Sequence, residues 1–246
     1  MKFIGHRGFR HRHPENTLRA FEAVCAHPCN GDSVAGIELD IQMTGDERVV
    51  VMHDTTVQTR QGEKVPIAML TLERLRSLCG GFAHDASSPA PELSDVLELV
   101  NHRTALYVEI KEGAYDLERF IHVLRPMLEQ YRPNNDIHIS SFSPHILHRL
   151  APTAKLLGTE LGFLFHDWRQ YKTLPSEVNR QLDTLHPEYR LCLSAPAPMG
   201  CVDLPLICWT VNSLSDVQSL TTLPGADRIS AIITDDIDLA KRFPSF

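Results

Sequence analysis

No stretch of this 246-residue chain approaches the roughly 20 consecutive apolar residues that a membrane-spanning helix needs. The N-terminus, Met1-Lys-Phe-Ile-Gly-His6, carries no long apolar segment with a small-residue cleavage site. Both absences predict a cytoplasmic protein with no stable membrane insertion. Positive charge is not in excess either. A formal net charge of −7 argues against a general grip on nucleic acid, which needs a basic surface to displace phosphate counterions. The six cysteines, Cys25, Cys29, Cys79, Cys192, Cys201 and Cys208, show no paired metal spacing and read as reduced packing residues. A Gly-rich phosphate loop between a strand and a helix is also missing, which counts against an open nucleotide-binding sheet.

What is present is the composition of an ordinary globular protein, 43% hydrophobic and 22% charged. Strands and helices alternate along the chain. Lys2 to Gly5, Gly36 to Met43, Val49 to Met52, Ala105 to Ile110, Asp136 to Phe142, Leu156 to Phe165, Leu204 to Val211 and Ala231 to Thr234 read as strands. Between them, helical spacing recurs in Leu18 to Cys25, Leu93 to Val100, Leu117 to Leu128, Pro144 to Leu150, Trp168 to Leu182 and the segment after Ser215, which is taken as its cap. Pro126 is expected to kink or end the regular part of its helix. Residues 55–90, with a polar stretch, a short helix over Thr71 to Leu78 and breaks at Gly80-Gly81 and Ala86 to Pro91, form a small excursion. The alternation implies a parallel sheet. Polar residues finish many of the strands (His6, His53, Lys111, Ser141, Asn212 and Asp235), which favours a single-domain (β/α)8 TIM barrel over residues 1–246.

Glu38 and Asp40 lie two apart on one strand, so their carboxylates share a face, an arrangement that is costly without a cation between them. Glu109 supplies a third acid and shares its face with Lys111. Three carboxylates without a Cys or His pair suit one hard divalent cation, Mg²⁺, Ca²⁺ or Mn²⁺, before zinc. Arg7 and Lys111 add fixed positive charge suited to a phosphate group. His6 and His53 become candidates for proton transfer near neutral pH. Each residue has a plainer alternative: a solvated strand face for Glu38 and Asp40, a structural hydrogen bond for His6, an ion pair with Glu109 or Glu112 for Lys111, core packing for Trp209. Ser141 and Asn212 read as residues that orient neighbours. His11-Arg12-His13 lies past the first strand without a second histidine cluster, so it reads as a solvated loop or a modest anion contact rather than a zinc site.

His6-Arg7-Gly8, Pro14-Glu15-Asn16-Thr17, Glu38-Leu-Asp40, His53-Asp54, Glu109-Ile-Lys111, Ser141-Phe142, Trp209-Thr-Val-Asn212 and Ile233-Thr-Asp235 occur in this order. Together they resemble the glycerophosphodiester phosphodiesterase family. The resemblance implies a TIM barrel, Glu38, Asp40 and Glu109 as metal ligands, His6 and His53 as the acid/base pair, Arg7 and Lys111 as phosphate contacts, and Trp209 on the pocket wall. It further implies hydrolysis of small glycerophosphodiesters of the glycerophosphocholine or glycerophosphoethanolamine type. A lysophospholipase D-like enzyme, with Ile67, Met69 and Phe82 as an apolar mouth, and a silent phosphate-binding barrel are the alternatives. Departures from the family pattern lie at Phe9 to His13, at Thr56 to Arg60 and at Gly225 to Ala231, so selectivity is expected in the loops at 9–13 and 55–90. Nothing in the sequence sets the oligomeric state.

Overall fold

The computed structural model describes residues 1–79, 90–134 and 136–243. Eight parallel strands close on themselves. They are β1 (Lys2–Gly5) and β2 (Val34–Met43), then β6 (Ala105–Ile110), β7 (Ile137–Ser141), β8 (Glu160–Phe165), β9 (Thr184–Pro187), β10 (Leu206–Cys208) and β11 (Ile229–Thr234); β1 pairs with both β2 and β11 to seal the ring. A short strand β3 (Val49–Val51) adds antiparallel to the outer end of β2, and β4 (Thr56–Gln58) pairs with β5 (Lys64–Pro66) in a separate ribbon. The (β/α)8 TIM barrel expected from the strand-end pattern is the fold.

Strand alternation divides the core in two. Outward residues such as Ile37, Leu39, Leu106, Val108, Ile139, Phe163, Leu185 and Ile232 join one large apolar cluster beneath the helices α1 (Leu18–Cys25), α3 (Leu93–Val100), α4 (Leu117–Tyr131) and α5 (Pro144–Leu157). Inward residues Ile4, Ile207, Ala231 and Ile233, packed by Tyr107 and Trp209, form a smaller plug inside the barrel. Polar side chains therefore begin where this plug ends.

The elements that periodicity does not reveal at all are short ones. β9 and the helix α8 (Tyr189–Ser194) went unread because Thr184-Leu-His-Pro187 offers too few residues for a period and ends on proline. The expected single helix over Trp168 to Leu182 is two, α6 (Trp168–Lys172) and α7 (Ser176–Asn179), interrupted ahead of Pro175. Pro126 does not end its helix; α4 continues to Tyr131, held by Phe120, Leu124 and Leu128 in the core. α5 likewise runs beyond Leu150 to Leu157 with Pro152 inside it, and β8 starts only at Glu160. Ser213, not Ser215, caps the helix α9 (Leu214–Thr221), its hydroxyl accepting from Asp216 N. The 55–90 excursion has a core of its own, in which Val57, Ile67, Leu70 and the helix α2 (Leu72–Cys79) pack on Val50. Its Gly80-Gly81 break and Phe82 lie outside the described residues.

Gly8 shows how tightly the first loop is fitted. Its φ is +87°, and a Cβ there would meet the Ala20 Cβ at 2.7 Å, on the face of α1 turned to the loop. Gly8→Ala is therefore expected to cost about 2–4 kcal/mol, summing left-handed strain and overpacking, measured as a lowered urea midpoint.

Candidate active site

The C-terminal ends of the strands open into a cavity of about 360 Å³ lined by His6, Arg7, Glu38, His53, Glu109, Lys111, Phe142, His166, His186 and Trp209, among others. Each arrives for a local reason. β2 and β6 pair in register so that Asp40 lies opposite Glu109. Glu38, Asp40 and Glu109 offer carboxylate oxygens within 4.8 Å of one another, and all three are buried. Arg7, at φ 52° just past β1, donates its backbone N–H to Glu38 Oε2 at 3.0 Å and brings its Nε to 3.2 Å from Asp40 Oδ2. Lys111 Nζ is 2.6 Å from Glu109 Oε1 and 3.5 Å from Asp40 Oδ1.

These charges do not balance. Burial, then repulsion from Asp40 and Glu109, holds the Glu38 carboxyl well above the usual carboxylate range. Burial and Asp40 also raise Glu109, despite Lys111. For Asp40, burial is outweighed by Lys111, Arg7 and the Asn16 amide, and its carboxyl stays low. Two cations among three buried acids leave an excess of negative charge, and the donors are all hard oxygens. The set fits a divalent cation of the Mg²⁺, Ca²⁺ or Mn²⁺ kind.

His6 ends β1 and gives its Nδ1 to Asp235 Oδ1 at 2.6 Å. His53 follows β3, its Nδ1 2.9 Å from Asp54 Oδ1. Sequence reading passed over the residue that holds it: Gln42, 1% exposed, donates its amide to the carbonyls of both Met52 and Asp54, each at 2.9 Å. Its inward place on β2, two beyond Asp40, was the available signal. Trp209 is half-buried on the cavity wall, in edge contact with Phe142 at 5.5 Å and His166 at 5.0 Å. Ser141 and Asn212 orient neighbours, the first bonding Ile110 O and the second Asp235. The loop over 9–13 is exposed at Arg10, His11 and Arg12, yet it is tied down: Arg10 pairs with Glu15 and Asp235, Arg12 with Asp238. Of the residues read as an apolar mouth, Ile67 is instead fully buried in the excursion's core, Met69 is exposed, and Phe82 is outside the described residues.

His186, also unforeseen because β9 was, lies on the cavity floor at 2% exposure, bonded to Thr184 Oγ1 at 3.0 Å. Burial, with the nearby charge of His138, pushes its pKa down to about 3. Between that value and the ordinary one near 6.5, only the unfolded chain takes up the proton, so folding stability falls as pH drops below about 6.5 by roughly 1.4 kcal/mol per unit. Going from pH 7 to pH 5 is expected to cost the native protein about 2 kcal/mol more than His186→Gln, in urea unfolding curves at both pH values.

Buried acids suited to a hard cation, two basic side chains and two histidines at the mouth of a parallel barrel have the make-up of a phosphoester hydrolase. More narrowly, the glycerophosphoryl diester phosphodiesterase family matches residues 6–239, and the chain belongs to that family. It is thereby a phosphoric diester hydrolase. A glycerophosphodiester phosphodiesterase of Caldanaerobacter subterraneus subsp. tengcongensis is 32% identical over 244 residues, covering 95% of this chain and 93% of its own. One from Bacillus altitudinis is 27% identical over 252 residues, covering 97% and 96%. The fold agrees with crystal structures of the Thermotoga maritima glycerophosphodiester phosphodiesterase (TM-score 0.73, 24% identity, 98% of this chain and 97% of that one). It agrees equally with an Oleispira antarctica phosphodiesterase in complex with the product sn-glycerol-3-phosphate (TM-score 0.74, 19% identity, 98% and 96%).

Proposed function

We propose that this protein hydrolyses glycerophosphodiesters of the glycerophosphocholine and glycerophosphoethanolamine type to glycerol 3-phosphate and the free alcohol, using His6 and His53 for proton transfer. The observation that carries this is convergence: His6, His53, Arg7, Lys111, Glu38 and Glu109 line one cavity although they come from different strands. Glu38, Asp40 and Glu109 would hold one divalent cation. When bound, that ion supplies positive charge for the non-bridging oxygens of the diester.

Arg7 and Lys111 contact those same oxygens as charge-assisted donors, and Trp209 packs against the carbon skeleton of the glycerol. The glycerol hydroxyl next to the ester attacks phosphorus while one histidine takes its proton. The other histidine protonates the leaving alcohol oxygen, giving a cyclic phosphate. In the second step the two exchange roles: one removes a proton from water, the other returns a proton to the ring oxygen, and glycerol 3-phosphate forms. Six cysteines scattered without paired spacing favour a reducing, cytosolic setting.

The test is a substrate panel with chelator and each metal added back. Glycerophosphocholine and glycerophosphoethanolamine should release glycerol 3-phosphate, whereas analogues lacking the hydroxyl beside the ester should not turn over. Turnover of the deoxy analogue at the normal rate would exclude attack by that hydroxyl. Faster turnover of lysolipid than of glycerophosphocholine would move the substrate class to lipids.

A further inference from the structure

We propose that Asp235 is a positioning residue for His6, and that Asn212 and Arg10 hold Asp235 in place for that task; this rests on His6 being a proton-transfer group. β1 and β11 run parallel with Gly5 opposite Thr234, and the His6 N–H donates to Thr234 O at 2.8 Å. The next residue of each strand end is therefore carried to the same spot, and His6 Nδ1 meets Asp235 Oδ1 at 2.6 Å. That carboxylate has little freedom to turn. Its Oδ2 accepts from Asn212 Nδ2 at 2.7 Å, and its own N–H donates to Asn212 Oδ1 at 2.8 Å, an oxygen that also accepts from Thr234 Oγ1 at 3.2 Å. Arg10 NH1 stands 3.4 Å from Oδ1, itself anchored by Glu15 at 2.7 Å.

Glu15 also bonds Arg7 NH1 at 2.7 Å, and Arg7 reaches Asp40. A continuous line of ion pairs thus runs from the acid cluster to the support of His6. With Nδ1 committed to Asp235, the nitrogen left for substrate is Nε2, and ring rotation is blocked. His53 is held differently. Its partner is its own chain neighbour, Asp54, whose side chain is 74% exposed, so water competes for that contact. A carboxylate fixed by Asn212 and Arg10 and bonded to the imidazole at Nδ1 sets both tautomer and aim.

The test measures kcat and KM for glycerophosphocholine hydrolysis at saturating metal in Asp235→Asn, Arg10→Ala and His6→Ala, with ¹⁵N spectra of labelled histidine and thermal melts. Asp235→Asn should lower kcat about 100-fold or more with KM within about threefold, and should move the His6 resonances away from the Nδ1-protonated tautomer. Arg10→Ala, on an exposed side chain that folding tolerates, should lower kcat about two- to fivefold with the same KM pattern. If His6→Ala loses turnover while Asp235→Asn keeps kcat within twofold and leaves the His6 tautomer unchanged, the positioning role is overturned and the catalytic reading survives. If His6→Ala keeps full turnover, the catalytic reading itself falls, and the positioning role with it.

Discussion

Glu38→Gln is expected to abolish metal-supported turnover while making the chelated protein more stable. Glu38 is a buried acid, 6% exposed, beside Asp40 and Glu109, and burial plus their repulsion disfavour its charged form. Glutamine keeps the shape and can still accept from the Arg7 N–H, yet it brings no charge to repel. Removing the repelled carboxylate should stabilise the metal-free fold by about 1–2 kcal/mol, a rise in melting temperature of roughly 2–8 °C for a chain of this size. The same substitution removes one anionic oxygen donor from the three proposed to hold the cation, so metal affinity should fall at least about 10–100-fold and activity at modest metal concentration should vanish. Calorimetric metal titration and melts in chelator read the two effects separately. A site built only for structure would show lower stability and no change in metal affinity.

His53→Ala is the second large effect. A positioned proton-transfer group contributes about 10²–10⁴-fold, so kcat should fall by that factor with KM changed little. The fold should survive, because the side chain is 36% exposed and the segment is anchored by Gln42 through backbone carbonyls rather than through the imidazole. Melting curves superimposable on the native protein would confirm that the loss is chemical. Full turnover in this variant would refute a two-histidine mechanism.

The legible part of the molecule was the part with period and charge. Alternating strands such as Ala105 to Ile110 announce both their bounds and their inward face, so Glu109 and Lys111 could be grouped with Glu38 and Asp40 in one site, while the direct pairing of β2 with β6 is the structure's own. Strand-end polar residues carried enough information to choose a barrel. What escaped is what has no period. β9 is four residues ending in proline, so His186 on the cavity floor was invisible. Gln42 looks like any polar residue near a strand end; only the turn that returns Met52 and Asp54 to it gives it a task. Asp235 was legible as a strand-end acid, but its partner is 229 residues away in sequence, and register alone brings His6 to it.

The most direct measurement is ³¹P spectroscopy of the purified protein with glycerophosphocholine, run with chelator and then with Mg²⁺, Ca²⁺ or Mn²⁺ restored. The expected result is no reaction in chelator and, with metal, conversion of the diester resonance to that of glycerol 3-phosphate, with choline released in equal amount. Phosphocholine as product, or equal turnover in chelator, would contradict it.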